Sequence, residues 1–189
     1  MKVFAVREIR GFLRAVDRHA EGPFRLVVVG GAAASLSFRA RSGTADIDTA
    51  NNSTGLRKAC ERARRETGWE VPLGPAGVFD GPYEYESRLK RVPIRGLRNL
   101  EIFVPEKHDW ALMKIIRLIE KDIEDIKEVA GTVGLEKVVM LERFLGEMTH
   151  VIGRREDLIR NFLAMMEELY GAEEADRMEK AIRAHRHWK

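Results

Sequence analysis

The sequence has a single cysteine and no long apolar run among its 189 residues. One cysteine cannot form a disulfide within the chain, and the charged pattern around Cys60, LRKACERARRE, indicates an ordinary helix position rather than a nucleophile. Charged residues interrupt every apolar stretch well short of the roughly 20 residues that a membrane span requires. The amphipathic start, MKVFAVREIRGFLRAVDRH, lacks the apolar core of a signal peptide. We therefore expect a cytoplasmic protein that does not contact a membrane.

Acidic residues are scarce in the first half of the chain. Residues 1–100 contain 18 Lys+Arg and 11 Asp+Glu, a balance of +7, whereas residues 101–189 contain 15 and 19, a balance of −4. Because arginine forks match phosphate oxygens, the first half suits a phosphate-bearing partner. A solvated helix surface at RKACERARRE is the alternative explanation for much of this excess. With 44% hydrophobic residues, the chain can bury the core of one domain, with or without a helical extension.

Residues 1–104 show the order of an α/β core. After an amphipathic first helix, the run FRLVVVGG predicts a buried strand that ends at two glycines, and a short helix follows. ADID predicts a second strand. The segment STGLRKACERARRETG predicts a helix that begins at a Ser or Thr cap and ends at Gly68, and short β-like runs extend from Trp69 to Val104.

Residues 105–189 show helical patterns only. Four segments have helical patterning, and glycines at Gly134, Gly153 and Gly171 are expected to lie at helix ends. Apolar residues recur within these segments at the spacing of a packing face. We therefore predict an all-helical C-terminal part after the α/β core.

Two aspartates one residue apart follow the glycines closely. On a strand, Asp46 and Asp48 point to the same face with their bases about 7 Å apart, while Ile47 points into the core. Such carboxylates can converge on one Mg²⁺ or on a pair of ions. Gly30 and Gly31 let the backbone approach a polyphosphate. Together these residues predict a nucleotide site, whereas a tight turn and a solvated strand end are the alternative interpretation.

Two stretches resemble a known family. LVVVGGAAASLSFRARSGTADID is similar to the first motif of the nucleotidyltransferase superfamily: an apolar strand, Gly-Gly or Gly-Ser, a short helix and then Asp-x-Asp. Its long spacing, with Thr44 before ADID, resembles that of AbiEii-type toxins and related uncharacterised proteins. HDWALMKIIRLIEKDIEDI resembles the helix that carries a lysine and then an arginine-and-aspartate pattern in those proteins. The two stretches cover residues 26–126.

The resemblance implies a polymerase-β-like fold, a mixed sheet flanked by helices of the α/β (α+β) class. It implies that Asp46 and Asp48 hold Mg²⁺, that Gly30, Gly31 and Thr44 bind the nucleotide, and that NMP passes from an NTP to an acceptor. RNA and protein are both candidate acceptors. A toxin-like role with an antitoxin-like partner and a homo-oligomeric state are further expectations.

Related folds bring a third carboxylate from a later strand. The segment YEYESRLKRV alternates like a strand, which would place Glu84 and Glu86 on one face together with Arg88. We prefer Glu86 as the third catalytic acid, because YESRL resembles the acidic segment of the relatives, and we assign Arg88 to the nucleotide. Glu84 and Glu101 stay candidates, and an exposed edge strand with alternating charges is the alternative.

Lys114 is the candidate catalytic cation. If residues 106–130 form one helix, Asp125 lies about 20° around the axis from Lys114, and Asp122 lies about 80° from it. The lysine could then contact the triphosphate while an aspartate orients it, so we assign both aspartates to nucleotide binding. Ordinary charge pairs on the helix surface are the alternative.

Three functions remain open from the sequence. The preferred one is a Mg²⁺-dependent nucleotidyltransferase. A non-catalytic nucleotide- or RNA-binding module would keep the fold and the glycines without turnover. A structural protein would leave the aspartates solvated and use its helices as a homodimer surface.

Overall fold

The computed structural model describes residues 2–77 and 79–188. The chain divides into two compact units. The sheet unit comprises the described residues of 1–78 together with Leu89–Pro105, and the helical unit comprises Phe79–Arg88 with the described residues of 106–189. Residues 79–88 thus group with the later helices. The predicted division into domains at residue 104 assigns this segment differently and stays a prediction.

The sheet unit contains seven short strands and three helices among its described residues. The strands are β1 (Phe4–Ala5), β2 (Phe24–Val27), β3 (Gly43–Thr44), β4 (Ile47–Thr49), β5 (Leu73–Pro75), β6 (Lys90–Val92) and β7 (Leu100–Val104). The helices are α1 (Val6–His19), α2 (Gly30–Ala33), which continues as a π-helical turn (Ala34–Phe38), and α3 (Thr54–Thr67).

Parallel and antiparallel pairs both occur in this unit. Strand β7 pairs in parallel with β2 and antiparallel with β6, β4 pairs in parallel with β5, and β1 pairs antiparallel with β3. An antiparallel bridge between Val28 and Thr49 joins the end of β2 to β4. The predicted α/β (α+β) class with mixed pairing and flanking helices is therefore confirmed.

Helix α3 shows how local sequence sets the ends of an element. The Ser53 hydroxyl accepts a hydrogen bond from the Leu56 N–H at 3.1 Å, and Gly68 adopts a left-handed φ of +67° after the last turn, as predicted. Cys60 is buried on the face that packs against α1. Burial raises the pKa of the Cys60 thiol to about 11, so the thiolate that a nucleophile requires is disfavoured.

The helical unit consists of helices after residue 105, as predicted. They are α4 (Lys107–Lys114), α5 (Glu120–Val133), α6 (Lys137–Glu147), α7 (Arg155–Tyr170) and α8 (Ala172–Ala184). Phe144 stacks between Phe162 and Trp188, with ring centroids 4.1 and 4.3 Å away. Gly134 and Gly171 directly follow α5 and α7, whereas Gly153 lies in the loop before α7.

The prediction of one continuous helix over residues 106–130 is wrong. Helix α4 ends at Lys114, Leu118 adopts a left-handed φ of +39°, and α5 begins at Glu120. The Asp122 carboxylate accepts a hydrogen bond from the Ile119 N–H at 3.2 Å, which caps the new helix. A left-handed leucine is costly, so it requires support from the surrounding structure.

The predicted strand over YEYESRLKRV is also wrong at Glu84 and Glu86. Tyr85–Arg88 forms a 3-10 turn, and strand β6 begins only at Lys90. The backbone N–H and the hydroxyl of Ser87 both donate to the Glu84 carbonyl, at 3.1 and 2.8 Å. Serine favours such turns because its side chain competes for nearby backbone groups.

None of the helices described within residues 2–77 and 79–188 has both the length and the apolar content that crossing a bilayer would require.

A buried carboxylate fixes the loop that enters β7. Asp17, near the end of α1, is 3% exposed and accepts hydrogen bonds of 2.7–3.1 Å from the backbone N–H groups of Arg98, Asn99 and Leu100. These long-range contacts join α1 to the sheet. A buried acceptor that satisfies three donors is costly to remove, because each donor would lose its partner.

We therefore expect Asp17→Asn to destabilise the protein by about 2 kcal/mol, since the amide loses the charge and turns a donor toward backbone N–H groups. Urea denaturation measures this change. Asp157→Asn is the control, because the Asp157 carboxylate forms an exposed pair with Arg160, and it should cost less than about 0.5 kcal/mol. Equal, small losses in both variants would contradict the role of Asp17.

Candidate functional site

The two aspartates of the predicted site lie at the start of β4: Asp46 directly precedes the strand, and Asp48 lies within it. Ile47 and Thr49 are buried, whereas Asp46 and Asp48 are half-buried. Because side chains alternate along a strand, this pattern places the two carboxylates on the face opposite Ile47. The strand therefore presents a pair of acids at the edge of the core.

The two glycines lie directly against these acids. The Val29 N–H donates to the Asp48 carbonyl at 2.9 Å, which holds the turn beside β4. Gly30 has a left-handed φ of +59°, and a Cβ at this position would lie 3.1 Å from Asp48 Oδ2. Both the backbone conformation and the space therefore favour glycine here.

The second glycine contacts the segment that precedes the aspartates. A Cβ at Gly31 would lie 3.0 Å from Thr44 Oγ1 and 3.6 Å from Arg41 Nη1. The Thr44 hydroxyl donates to Asp46 Oδ1 at 3.4 Å, a long hydrogen bond. The structure thus brings together five of the residues predicted for the site: Gly30, Gly31, Thr44, Asp46 and Asp48.

Arg41 lies at this site and was missed by the sequence prediction. Its guanidinium is the basic group beside Gly31. Its sequence signal is weak, since an arginine five residues before an Asp-x-Asp pair is easily assigned to a solvated loop. Only the fold of the intervening segment shows that it returns to the glycines.

The donor groups on this face fit Mg²⁺. Among the residues described, no group of three or more His, Cys, Asp or Glu side chains could hold a metal ion. Mg²⁺ prefers oxygen ligands and is commonly bound by one or two carboxylates, with waters and substrate phosphates completing its shell. Asp46 and Asp48 supply that number of acids.

Lys114 lies in a buried ionic cluster of the helical unit. Its ammonium donates to Asp122 Oδ1 at 2.7 Å and to Asp125 Oδ2 at 2.9 Å. The side chain of Lys114 is 11% exposed, and Asp122 and Asp125 are 2% and 4% exposed. These contacts form even though the helix ends at Lys114 and a new helix begins at Glu120. The alternative of solvated surface pairs is therefore wrong for both aspartates.

Arg117 completes this cluster from the linker between α4 and α5. Its guanidinium donates to both oxygens of Asp122, at 3.0–3.1 Å. Burial alone would raise the pKa of Asp122, but hydrogen bonds from Lys114, the Ile119 N–H and Arg117 outweigh it and hold the pKa below its usual range. The carboxylate thus stays ionised and can orient Lys114.

The remaining predicted residues, Glu86 and Arg88, also lie in the helical unit. Arg88 donates to both oxygens of Asp109 at 2.9 Å and to Glu147 at 2.6 and 3.1 Å. Asp109 is fully buried, so this bidentate pair connects the 79–88 segment to α4 and α6. Glu86 is exposed, and its carboxylate accepts from the Tyr85 hydroxyl at 3.2 Å.

A second arginine extends the Arg88 network. Arg143 donates to Asp109 at 2.8 Å and to Glu106 at 2.5 Å. Burial alone would raise the pKa of Glu106, but hydrogen bonds from His108 and Arg143 outweigh it and lower the pKa to about 2. Arg88 and Arg143 therefore share the Asp109 carboxylate in one ionic network. The predicted role of Arg88 in nucleotide binding stays a prediction.

Comparison with known proteins identifies the family to which the chain belongs. No curated protein and no solved structure matches the chain. A family model described as a nucleotidyltransferase of unknown function (DUF6036) matches residues 5–171, which include the glycines, the aspartate pair and the Lys114 cluster. The assignment to the nucleotidyltransferase superfamily is therefore confirmed, whereas the AbiEii-type branch stays a prediction. This chain belongs to the DUF6036 family of nucleotidyltransferases of unknown function.

Proposed function

We propose that this protein transfers a nucleoside monophosphate from an NTP to an acceptor in a Mg²⁺-dependent reaction. The observation that carries the proposal is the packing of the Asp48 carboxylate and the Thr44 hydroxyl directly on Gly30 and Gly31. A glycine turn with acids beside it can bring a polyphosphate and a metal ion to one place. The family match supports the nucleotidyltransferase class.

The residues of the sheet unit divide the task of binding. Gly30 and Gly31 carry no side chain that would keep a phosphate from the backbone of the turn. Asp46 and Asp48 would hold Mg²⁺, which when bound neutralises charge on the triphosphate and on the leaving pyrophosphate. The Thr44 hydroxyl donates a long hydrogen bond to Asp46, which links this acid to the segment beside Gly31.

Catalysis of this kind depends mainly on positioning. Phosphoryl and nucleotidyl groups react when the attacking and leaving oxygens lie in line, so fixed ligands lower the entropy that must be lost. Hydrogen bonding between Val29 and β4 fixes the turn, and the half-buried position of the acids limits their freedom. The acceptor hydroxyl supplies the nucleophile, and we propose RNA or protein as its carrier.

A non-catalytic nucleotide-binding module is the second candidate. The absence of a three-acid group among residues 2–77 and 79–188 favours it, because related transferases use a third carboxylate near the metal. Such a module would bind Mg²⁺ and NTP through the same pair of aspartates. It would release no pyrophosphate.

The direct test of the function is incubation with each α-labelled NTP, Mg²⁺, and total cell RNA or protein. We expect labelled acceptor and released pyrophosphate with the wild-type protein. Asp46→Asn and Asp48→Asn should each lower the rate of transfer by about a hundredfold or more, because Mg²⁺ would lose a carboxylate ligand and would stabilise the charge on the leaving pyrophosphate less well. Asp176→Asn, at an exposed position on α8, is the control and should transfer normally.

Circular dichroism and thermal melting must show that the variants fold. Mg²⁺-dependent NTP binding without transfer in the wild-type protein would favour the binding module. Transfer that both asparagine variants retain at the wild-type rate would exclude the metal assignment.

We also propose a role for Lys114 in transfer. Two of its three N–H donors are engaged by Asp122 and Asp125, so its ammonium has a fixed direction. Lys114→Met alone would leave two buried carboxylates without this cation and could cost about 3–5 kcal/mol of stability. Lys114→Met combined with Asp125→Asn removes one charge of each sign and avoids most of that loss.

We expect the double variant to slow transfer by about a hundredfold while binding NTP nearly as well as wild type, since a charge that acts on the leaving pyrophosphate lowers mainly the turnover rate. Asp125→Asn alone and Lys121→Met, at an exposed position of α5, are the controls. Single-turnover kinetics separates NTP binding from the transfer step. A double variant that transfers as fast as Asp125→Asn would show that Lys114 is only structural.

A further inference from the structure

Arg41 is the basic residue that the fold returns to the glycine turn. Its Nη1 lies 3.6 Å from the position of a Cβ on Gly31, and Thr44 Oγ1 lies 3.0 Å from the same point. Arg41 is half-buried, whereas Arg57, Arg62 and Arg65 on α3 are exposed. Its position beside Gly31, with limited freedom, distinguishes it from the general positive charge of the first half of the chain.

The backbone of residues 39–44 is held in place at several points. Arg39 has a left-handed φ of +55°, which reverses the chain after the π-helical turn. The Val6 N–H donates to the Ser42 carbonyl at 3.1 Å, and β3 pairs with β1. A Cβ on Gly43 would lie 2.2 Å from the Phe4 carbonyl oxygen, so only glycine permits this pairing. The position of Arg41 therefore follows from the fold.

A triphosphate bound at this site would require a positively charged side chain beside Gly31. One Mg²⁺ would balance the two negative charges of Asp46 and Asp48, so much of the negative charge of a triphosphate would still require a cation. A guanidinium can donate two parallel hydrogen bonds to phosphate oxygens, and a half-buried one is screened less by water than an exposed one. Arg41 supplies such a basic group beside Gly31.

From these contacts we infer that Arg41 binds the phosphate tail of the nucleotide, as a positioning residue of the site that the proposed function assigns. It holds the polyphosphate against Gly31 while the aspartates hold the metal ion. The inference rests on the proposed function, and it extends it by naming the group that recognises the triphosphate rather than the base or the sugar.

Isothermal titration calorimetry tests this inference without any turnover. The probes are ATP, GTP, CTP and UTP, the four corresponding monophosphates, and inorganic tripolyphosphate, each with Mg²⁺. We expect Arg41→Met to weaken binding of the favoured NTP and of tripolyphosphate by at least about tenfold, because charge-assisted hydrogen bonds are lost. Binding of the monophosphate should change by less than about threefold. Arg41→Lys, which keeps the charge but not the fork, should fall between wild type and Arg41→Met.

Arg57→Met is the matched control, because Arg57 is an exposed arginine on α3 and contacts only the nearby Thr54 hydroxyl among the hydrogen bonds described for its side chain. It should bind every probe as the wild-type protein does. Thermal melting confirms folding, and Arg41→Lys provides the comparison if Arg41→Met does not fold.

Two outcomes would overturn the inference alone. Wild-type protein that binds NTP, with Arg41→Met or a folded Arg41→Lys binding it equally well, would show that Arg41 does not contact the phosphates. Equal weakening of monophosphate and triphosphate binding would show that Arg41 supports the fold of the turn instead. Wild-type protein that binds neither NTP nor tripolyphosphate would contradict the proposed function, and the inference would fail with it.

Discussion

The close approach of the Asp48 carboxylate to Gly30 is the constraint on which the candidate site depends. Gly30 must adopt a positive φ, and a Cβ there would lie 3.1 Å from Asp48 Oδ2. The hydrogen bond from the Val29 N–H to the Asp48 carbonyl sets this approach, and it also joins the turn after β2 to β4. This hydrogen bond thus connects two parts of the sheet unit and places the Asp48 carboxylate beside the glycine turn.

In the helical unit, the cost of burying charged groups is offset by the ion pairs that they form. Lys114, Asp122 and Asp125 are largely withdrawn from water, and burying charges is costly unless each has a partner. The chain meets this requirement by ending α4 at the lysine and beginning α5 so that Asp122 both caps the helix and accepts from the ammonium. The break between the two helices is therefore part of the arrangement that keeps Lys114 oriented.

Local sequence patterns predicted much of this molecule. The strand before the glycines, the capped helix α3 and the shared face of Asp46 and Asp48 follow from short-range rules of period and capping. The break after α4 did not, because it depends on a left-handed Leu118 that leucine itself disfavours. Arg41 and Asp17 were invisible for a similar reason, since their partners are fixed by tertiary structure.

The affinity of Gly30→Ala for Mg²⁺-bound NTP, compared with that of Gly68→Ala, tests the central claim most directly. Both glycines have a positive φ, +59° and +67°, so either alanine costs about 1–2 kcal/mol of stability, but no atom of the described residues lies within 4 Å of a Cβ at Gly68. The account predicts that Gly30→Ala displaces Asp48 and loses at least about tenfold in affinity, while Gly68→Ala binds as wild type. Wild-type affinity in a folded Gly30→Ala variant would contradict it.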